Sequence, residues 1–224
     1  MSSLILRRAT ATALLALALP AAAHAQLTNV ALGKSVTGFG TFGTLRPGSV
    51  WGPQPLAPFS SLTDGAMPTV GEQWQTGTVW WDAFPTGAPQ TTSLAAPNSR
   101  GTFVEIDLGS VFALTGLGLS FDNNDAYEVW GRASAGDDWS LLQTFTCVVN
   151  CSFGMENVST PSSLASPVSA RYLAVTGDFG DAYYSLGEVE AFANVSSVPE
   201  PATFGLLLLG LVGVGGSAVR QRRR

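Results

Sequence analysis

The stretch Phe103-Val104-Glu105-Ile106-Asp107-Leu108 decides the fold. Its apolar residues alternate with carboxylates, so Val104, Ile106 and Leu108 share one face and Glu105 and Asp107 the other. A period of two is the mark of a strand with one buried face. Outward from it, Leu117, Leu119 and Phe121 alternate in the same way. Residues 126–132 place Tyr127, Val129 and Gly131 together, residues 139–145 offer a further strand, residues 171–176 pair Leu173 with Val175, and residues 186–192 close the series. Gly, Pro, Asn and Asp separate these runs, and no helix-period segment stands out between 26 and 198. Short strands with turn signals between them predict an all-β sandwich or barrel. Two stretches read as long loops, 38–60 and 74–100, both rich in Gly, Pro and aromatics. Loops of that length in a compact domain are usually functional or disordered.

The two ends of the chain carry addresses. Arg7 and Arg8 precede an apolar run from Ala9 to Ala22, and Ala23-His24-Ala25 forms an A-x-A site. That is the anatomy of a secretory signal peptide, so residues 1–25 are expected to be removed between Ala25 and Gln26. At the other end, residues 202–219 are 18 positions without a charge, followed by Arg220, Arg222, Arg223 and Arg224. A helix of that length covers about 27 Å, enough for a hydrocarbon core. Basic residues beside a span stay on the cytoplasmic side, which leaves residues 26–193 outside. A plain tail anchor explains the span and the arginines at 220–224. It does not explain Val198-Pro199-Glu200-Pro201 within the preceding linker, 194–201. Two prolines keep that motif extended above the membrane. Motif, span and basic end together resemble the PEP-CTERM sorting signal, a segment also described as an ice-binding protein C-terminal domain. The resemblance implies a Gram-negative bacterium and an exosortase, a membrane transpeptidase that cuts near the motif and passes the protein to the surface or matrix.

Between those ends, Lys34, Arg46, Arg100, Arg132 and Arg171 face fifteen carboxylates, a net charge near −10. Nucleic acid is a poor partner for such a surface, because phosphate binding needs clustered Lys and Arg. A divalent cation is a better one. The single histidine, His24, leaves with the signal peptide, taking the commonest general base and zinc ligand with it. Cys147 and Cys151, with three residues between them, predict a local disulfide in an oxidising compartment. So small a ring contributes about 2 kcal/mol or less.

Several pieces stand in a recognisable order. Residues 29–37 look like an opening strand, and Leu62-Thr63-Asp64-Gly65 followed by Trp74 looks like an Asp-Gly loop. Val104-Glu105-Ile106-Asp107-Leu108-Gly109, Tyr127-Glu128-Val129-Trp130, Ala170-Arg171-Tyr172-Leu173-Ala174-Val175 and Leu186-Gly187-Glu188-Val189-Glu190-Ala191-Phe192 follow. The ordered set, over residues 29–193, resembles the discoidin or coagulation-factor C-type domain. The resemblance implies a galactose-binding-like jelly roll of two antiparallel sheets, whose modules bind glycans or phospholipid head groups through loops at one end. The stretches from Ser35 to Asp64 and from Asp64 to Trp74 are longer than the pattern, so ligand identity does not transfer.

The resemblance also implies a structural calcium. Asp64 and Glu188 would supply carboxylates, backbone oxygens near Ser61, Ala66 and Gly187 and the Thr69 hydroxyl the remainder. The alternative is an Asx-turn at Asp64 and a solvated Glu188. Asp122-Asn123-Asn124-Asp125 lacks the Gly and distal Glu of an EF-hand loop and reads as a polar turn. Trp51, Phe59, Trp74, Trp80, Trp81 and Phe84 are sugar-stacking candidates or plain core. Trp51, Trp80 and Trp81, with Arg100 or Arg132 as a forked donor, make the candidate ligand set. The carboxylates Glu105 with Asp107, and Glu188 with Glu190, have a spacing that alternation on a solvated face also produces. Acid–base catalysis needs tuned partners in a cleft. The expectation is a non-enzymatic, glycan- or exopolysaccharide-binding surface protein. A structural matrix protein without a small ligand, and a hydrolase, are the alternatives.

Overall fold

The computed structural model describes residues 25–85, 101–147, 151–152 and 154–196. The signal segment before Ala25, Arg100, the Val198-Pro199-Glu200-Pro201 motif, the apolar span and the basic tail lie outside the described residues. Residues 26–195 form one compact unit. The described residues are all-β, with one short 3-10 turn at Phe59–Thr63. The strands are β1 (Ala25–Asn29), β2 (Ser35–Phe39), β3 (Val79–Asp82), β4 (Phe103–Asp122), β5 (Ala126–Arg132), β6 (Ser140–Thr146), β7 (Met155–Thr160), β8 (Val168–Gly177) and β9 (Tyr183–Ser196).

β4 is the spine. Its first half runs between β2 and β8, with Ile106 opposite Val36 and Leu173. Its second half runs between β7 and β9, with Leu119 opposite Val158 and Val189. Register slips between Asp107 and Phe112, where Gly109 takes a φ of 84° and donates its N–H to Asp107 Oδ1 at 2.8 Å. Such a bulge increases twist and bends the strand, so the two halves of β4 serve different arms. β5 and β6 extend the first arm beyond β8, and β9 carries β1 and β3 in the second. Both arms cover one core, because Val104, Ile106 and Leu108 lie in the same buried cluster as Leu117, Leu119 and Phe121. Beside the β4–β5 turn that core is aromatic. Tyr127 sits 5.3 Å from Phe121 and 5.6 Å from Tyr184 between ring centroids, each such pair adding about 0.5–1.5 kcal/mol beyond area burial.

Four local expectations change. The opening strand expected at 29–37 is two strands, because Val30–Gly33 turn the chain between β1 and β2. The runs around 103–108 and 117–121 are one strand, the bulge supplying the polar break. The loop expected at 74–100 contains β3, a strand buried at all four positions, whose continuous apolar run carries no alternation. β9 continues through Ser196, into the expected 194–201 linker.

Candidate functional site

Two places collect polar atoms that the fold leaves unsatisfied. The first is the Asp-Gly loop against β9. A second register slip, between Ser120 and Phe121 against Glu188 and Leu186, marks a bulge at Gly187. Glu188 is fully buried rather than solvated. Its Oε2 accepts the Gly65 N–H at 3.3 Å, and its Oε1 has no partner. Burial, then the charges of Asp64 and Glu190, push its carboxyl up to about 7. Ser120, its neighbour across the ladder, and Asn157, next to Ser120 on β7, also hold unpartnered buried oxygens. Ser61, Asp64, Ala66, Thr69 and Gly187 line an open pocket of about 310 Å³ at this loop. Asp64 Oδ1 accepts the Ala66 N–H at 2.8 Å, so the Asx-turn is present as well. The structure thus brings the six residues of the expected cation set to one place. Orphaned, buried oxygen acceptors around a carboxylate fit a hard cation.

The second place is the β4–β5 turn. Asp122, Asn123 and Asp125 are buried, which a solvated polar turn does not require. Asp122 Oδ1 accepts the Gly154 N–H at 3.1 Å. Asp125 Oδ1 accepts the Asp181 N–H at 3.0 Å, while Oδ2 has no partner. Asn124 donates Nδ2–H to Asp181 Oδ2 at 3.1 Å and leaves Oδ1 free. Burial first, then Asp181, push Asp122 up to about 7; burial, then Asp181 and Asp122, push Asp125 up to about 9. The covering loop, 178–182, needs unusual backbone. Gly180 has a φ of 120°, and a Cβ there would collide with Asp125 Oδ1. Ala182 sits at a φ of 69°, sparsely populated for a residue with a side chain. Strain of this kind clusters at functional sites. Asn124, Asp125, Thr146, the Cys147–Cys151 disulfide and Phe179 line an open pocket of about 240 Å³. Phe179 is 70% exposed. Among the described residues, no three His, Cys, Asp or Glu side chains are grouped to hold a metal ion.

The expected ligand set does not converge. Trp80 and Trp81 are wholly interior, Trp80 against Trp74 and Trp81 against Tyr184, so neither offers a face to a sugar. Both are corrections, and both follow from β3 being buried on each side. Trp51 is half-buried, edge-on to Trp74 at 6.0 Å. Arg132 is committed to Glu105 at 2.8 Å and lies 4.2 Å over the Trp139 ring. Asp107 is tied to Arg171 in a two-point pair at 2.8 and 2.9 Å, which holds its carboxyl below the usual range. Glu190 accepts from Ser159 Oγ. Sequence reasoning missed the pocket at Asp125 and Phe179; the signal available was an aromatic residue inside the Asp178-Phe179-Gly180-Asp181 turn.

Residues 197–224 match the PEP-CTERM protein-sorting motif, which indicates an exported precursor that passes the membrane and is sorted to the surface. No curated protein matches the chain. Among solved structures, chitosan-binding module 1 from a Paenibacillus sp. IK-5 chitosanase/glucanase is similar at 18% identity, covering 73% of this chain and 98% of that one, with a TM-score of 0.41. The family 32 carbohydrate-binding module of C. perfringens NanJ, in complex with galactose, is similar at 16% identity over 75% and 99%, with a TM-score of 0.43. The lectin domain of lectinolysin, complexed with Lewis B antigen, is similar at 17% identity over 75% and 98%, with a TM-score of 0.44.

Proposed function

We propose that this chain is an exosortase-sorted surface or matrix protein whose domain, a galactose-binding-like jelly roll, binds glycan without catalysis at the β4–β5 end. One observation carries the reading: an exposed Phe179 that lines an open pocket together with Asn124, Asp125 and the Cys147–Cys151 disulfide. An apolar platform next to a few fixed polar groups is the usual anatomy of a small-ligand site. The sorting motif at 197–224 supports presentation outside the cell, where polysaccharide is the abundant partner. The remaining carboxylates support binding over hydrolysis, since Glu105 and Asp107 are each neutralised by an arginine. A glycan array with the mature secreted protein tests the reading, and binding to no polysaccharide, including that of the producing cell, overturns it.

Within the same proposal, Asp64 and Glu188 hold a structural calcium with oxygens of Ser61, Ala66, Thr69 and Gly187. The ion would supply charge neutralisation for a carboxylate the fold has buried. Glu188 and the Asp64 loop would then be tied through oxygen ligands as well as through the Gly65 N–H.

A purely structural matrix role is favoured by one observation, the burial of Trp74, Trp80 and Trp81 as core. Phe179→Ala separates the two readings: lost glycan binding with an unchanged melting temperature supports the pocket.

A further inference from the structure

Charge is unevenly spread along this domain. Four stretches meet where β9 ends. Leu114 on β4 stands opposite Ala193 on β9 and Val168 on β8, and Leu117 stands opposite Thr160, the last residue of β7. The Thr115 hydroxyl donates to the carbonyl oxygens of Pro161 at 3.1 Å and Phe192 at 3.3 Å, and Thr115 O accepts the Leu164 N–H at 3.1 Å. β1 joins them, with the Val30 N–H donating to Ala191 O at 2.7 Å. The stretches concerned, 25–33, 108–121, 157–170 and 191–199, contain no Asp, Glu, Lys, Arg or His, although the domain is strongly acidic. Leu27, Val111 and Val195 are exposed within them.

The carboxylates gather at the opposite end. Asp122, Asp125 and Asp181 stand at the β4–β5 turn, and the Asp178 N–H donates to Ala126 O beside them. The ten residues of β8 run from one end to the other and put about 30 Å between them, several Debye lengths in physiological salt. At the rim of the uncharged end, Arg171 holds Asp107 in the two-point pair, and Lys34 adds a second positive charge beside it. Glu190 accepts from Ser159 Oγ. The β5–β6 turn, with Asp137 and Asp138, lies beyond β8, two strands from β4.

The chain outside the domain says what this end meets. β9 ends at Ser196 and the uncharged run begins at Ala202, so five residues separate them. Fully extended, they reach at most about 20 Å. A domain on so short a tether meets the bilayer that holds the run at high effective concentration, and a weak preference decides which face it turns. Carboxylates are repelled by anionic head groups and lose hydration against acyl chains. Aliphatic side chains and small hydroxyls incur neither cost.

We propose that the uncharged end, formed by the middle of β4, the β7–β8 connection, β1 and the end of β9, is a lipid-facing surface that rests on the bilayer in the precursor. The proposal rests on the reading of the chain as a membrane-passing, sorted precursor and adds the face it turns to the lipid. Val111 and Leu27 lie among the head groups, and the positive rim of Lys34 and Arg171 faces their phosphates. The β4–β5 end, with the pocket at Phe179, is held away from the membrane and open to ligand.

The test is iodide quenching of a fluorophore on one added cysteine in the full-length precursor, reconstituted in phosphatidylcholine–phosphatidylglycerol nanodiscs with the native disulfide intact. The reporters are Val111→Cys, Val195→Cys and Val50→Cys, all at exposed positions. Val50 belongs to the loop that Arg46 ties to the Asp181 and Ala182 carbonyls, at the opposite end. The Val111 and Val195 reporters should be quenched at least about threefold less than the Val50 reporter, as expected of an interfacial face. Nearness to the tether alone would shield Val195 and leave Val111 open, so equal quenching at Val111 and Val50 overturns the proposal. Ala113→Glu with Ser166→Glu, two exposed positions, should return the Val111 reporter to the Val50 level with an unchanged melting temperature. A Val111 reporter still shielded in that folded variant overturns the proposal as well. A full-length chain that does not enter the nanodisc overturns the membrane-passing reading itself, and this surface with it.

Discussion

Asp82 and Asp125 are the same side chain, both withdrawn from water, in opposite surroundings. Asp82 ends β3, and every contact it makes is complementary. Arg46 approaches from 36 residues away with Nη2 at 2.7 Å, and Asp82 also accepts the backbone N–H groups of Arg46 at 2.7 Å and Phe84 at 2.8 Å. The Arg46 guanidinium lies 4.0 Å over the Tyr183 ring and 5.2 Å over Phe84. Asp125 accepts the Asp181 N–H with Oδ1, is further eased by the Ala182 N–H of the same loop, and has two neighbouring carboxylates but no side-chain cation against it. The first pair pins a loop to the core. The second leaves a buried oxygen that the chain itself does not pair. In a domain so rich in carboxylates, the difference between structure and site is whether the chain brings its own cation.

The largest expected effect attacks the satisfied pair. Arg46→Met leaves Asp82 buried without a counter-charge, which costs about 3–5 kcal/mol. The melting temperature should fall by about 10 °C at roughly 3 °C per kcal/mol, read by thermal denaturation. A fall of a degree or less would mean that the pair is solvated and the comparison mistaken.

The next effect concerns Glu188. Calcium at a hundred times its Kd adds about 2.7 kcal/mol to stability, so a chelator should lower the melting temperature by about 8 °C. Glu188→Gln should abolish that response, and a melt indifferent to calcium and chelator in the native protein removes the cation from the Asp64 loop.

A smaller effect is the pH dependence of stability in the free protein. Asp125 is raised to about 9 and Asp122 to about 7. Both therefore hold protons in the fold that the unfolded chain has released above its ordinary carboxylate pKa. Stability must then fall as pH rises from about 4 toward those values. Glu188, raised to about 7, acts in the same direction until a cation binds it. Asp107, lowered by Arg171, acts oppositely and loses its contribution only in acid. Melting curves across this range should show the decline, and a protein most stable at pH 9 would contradict it. The smallest effect is that of Cys147→Ser with Cys151→Ser, which should cost about 2 kcal/mol or less. Because that disulfide walls the pocket, glycan affinity should drop by more than the melting temperature suggests.

The strands were legible wherever one face is buried. Val104, Ile106 and Leu108 announce their face because Glu105 and Asp107 intervene at half-buried positions, whereas Leu117, Leu119 and Phe121 alternate with Gly118 and Ser120, which are buried too, so that there residue type alone carries the pattern. β3 was hidden because Val79, Trp80, Trp81 and Asp82 are buried on both faces, and a strand without alternation looks like an aromatic loop. The six-residue cation set was legible through motif order, whereas the burial of Glu188 depends on a bulge that no periodicity records. The Asp122–Asp125 turn resembled a solvated one because nothing local shows the 178–182 loop folding across it. The salt bridge of Arg46 was equally out of reach, since its partner is defined only once β3 exists.

One pair of measurements tests the central claim, that unpaired buried carboxylates mark the site and paired ones the scaffold. Asp82→Asn and Asp125→Asn make the same chemical change at two buried positions, and their melting temperatures are compared with the parent near pH 8. The account predicts opposite signs: Asp82→Asn falls, and Asp125→Asn holds or rises, by an amount on the order of the 1–3 kcal/mol that an unsatisfied buried group costs. Two falls of similar size would contradict it.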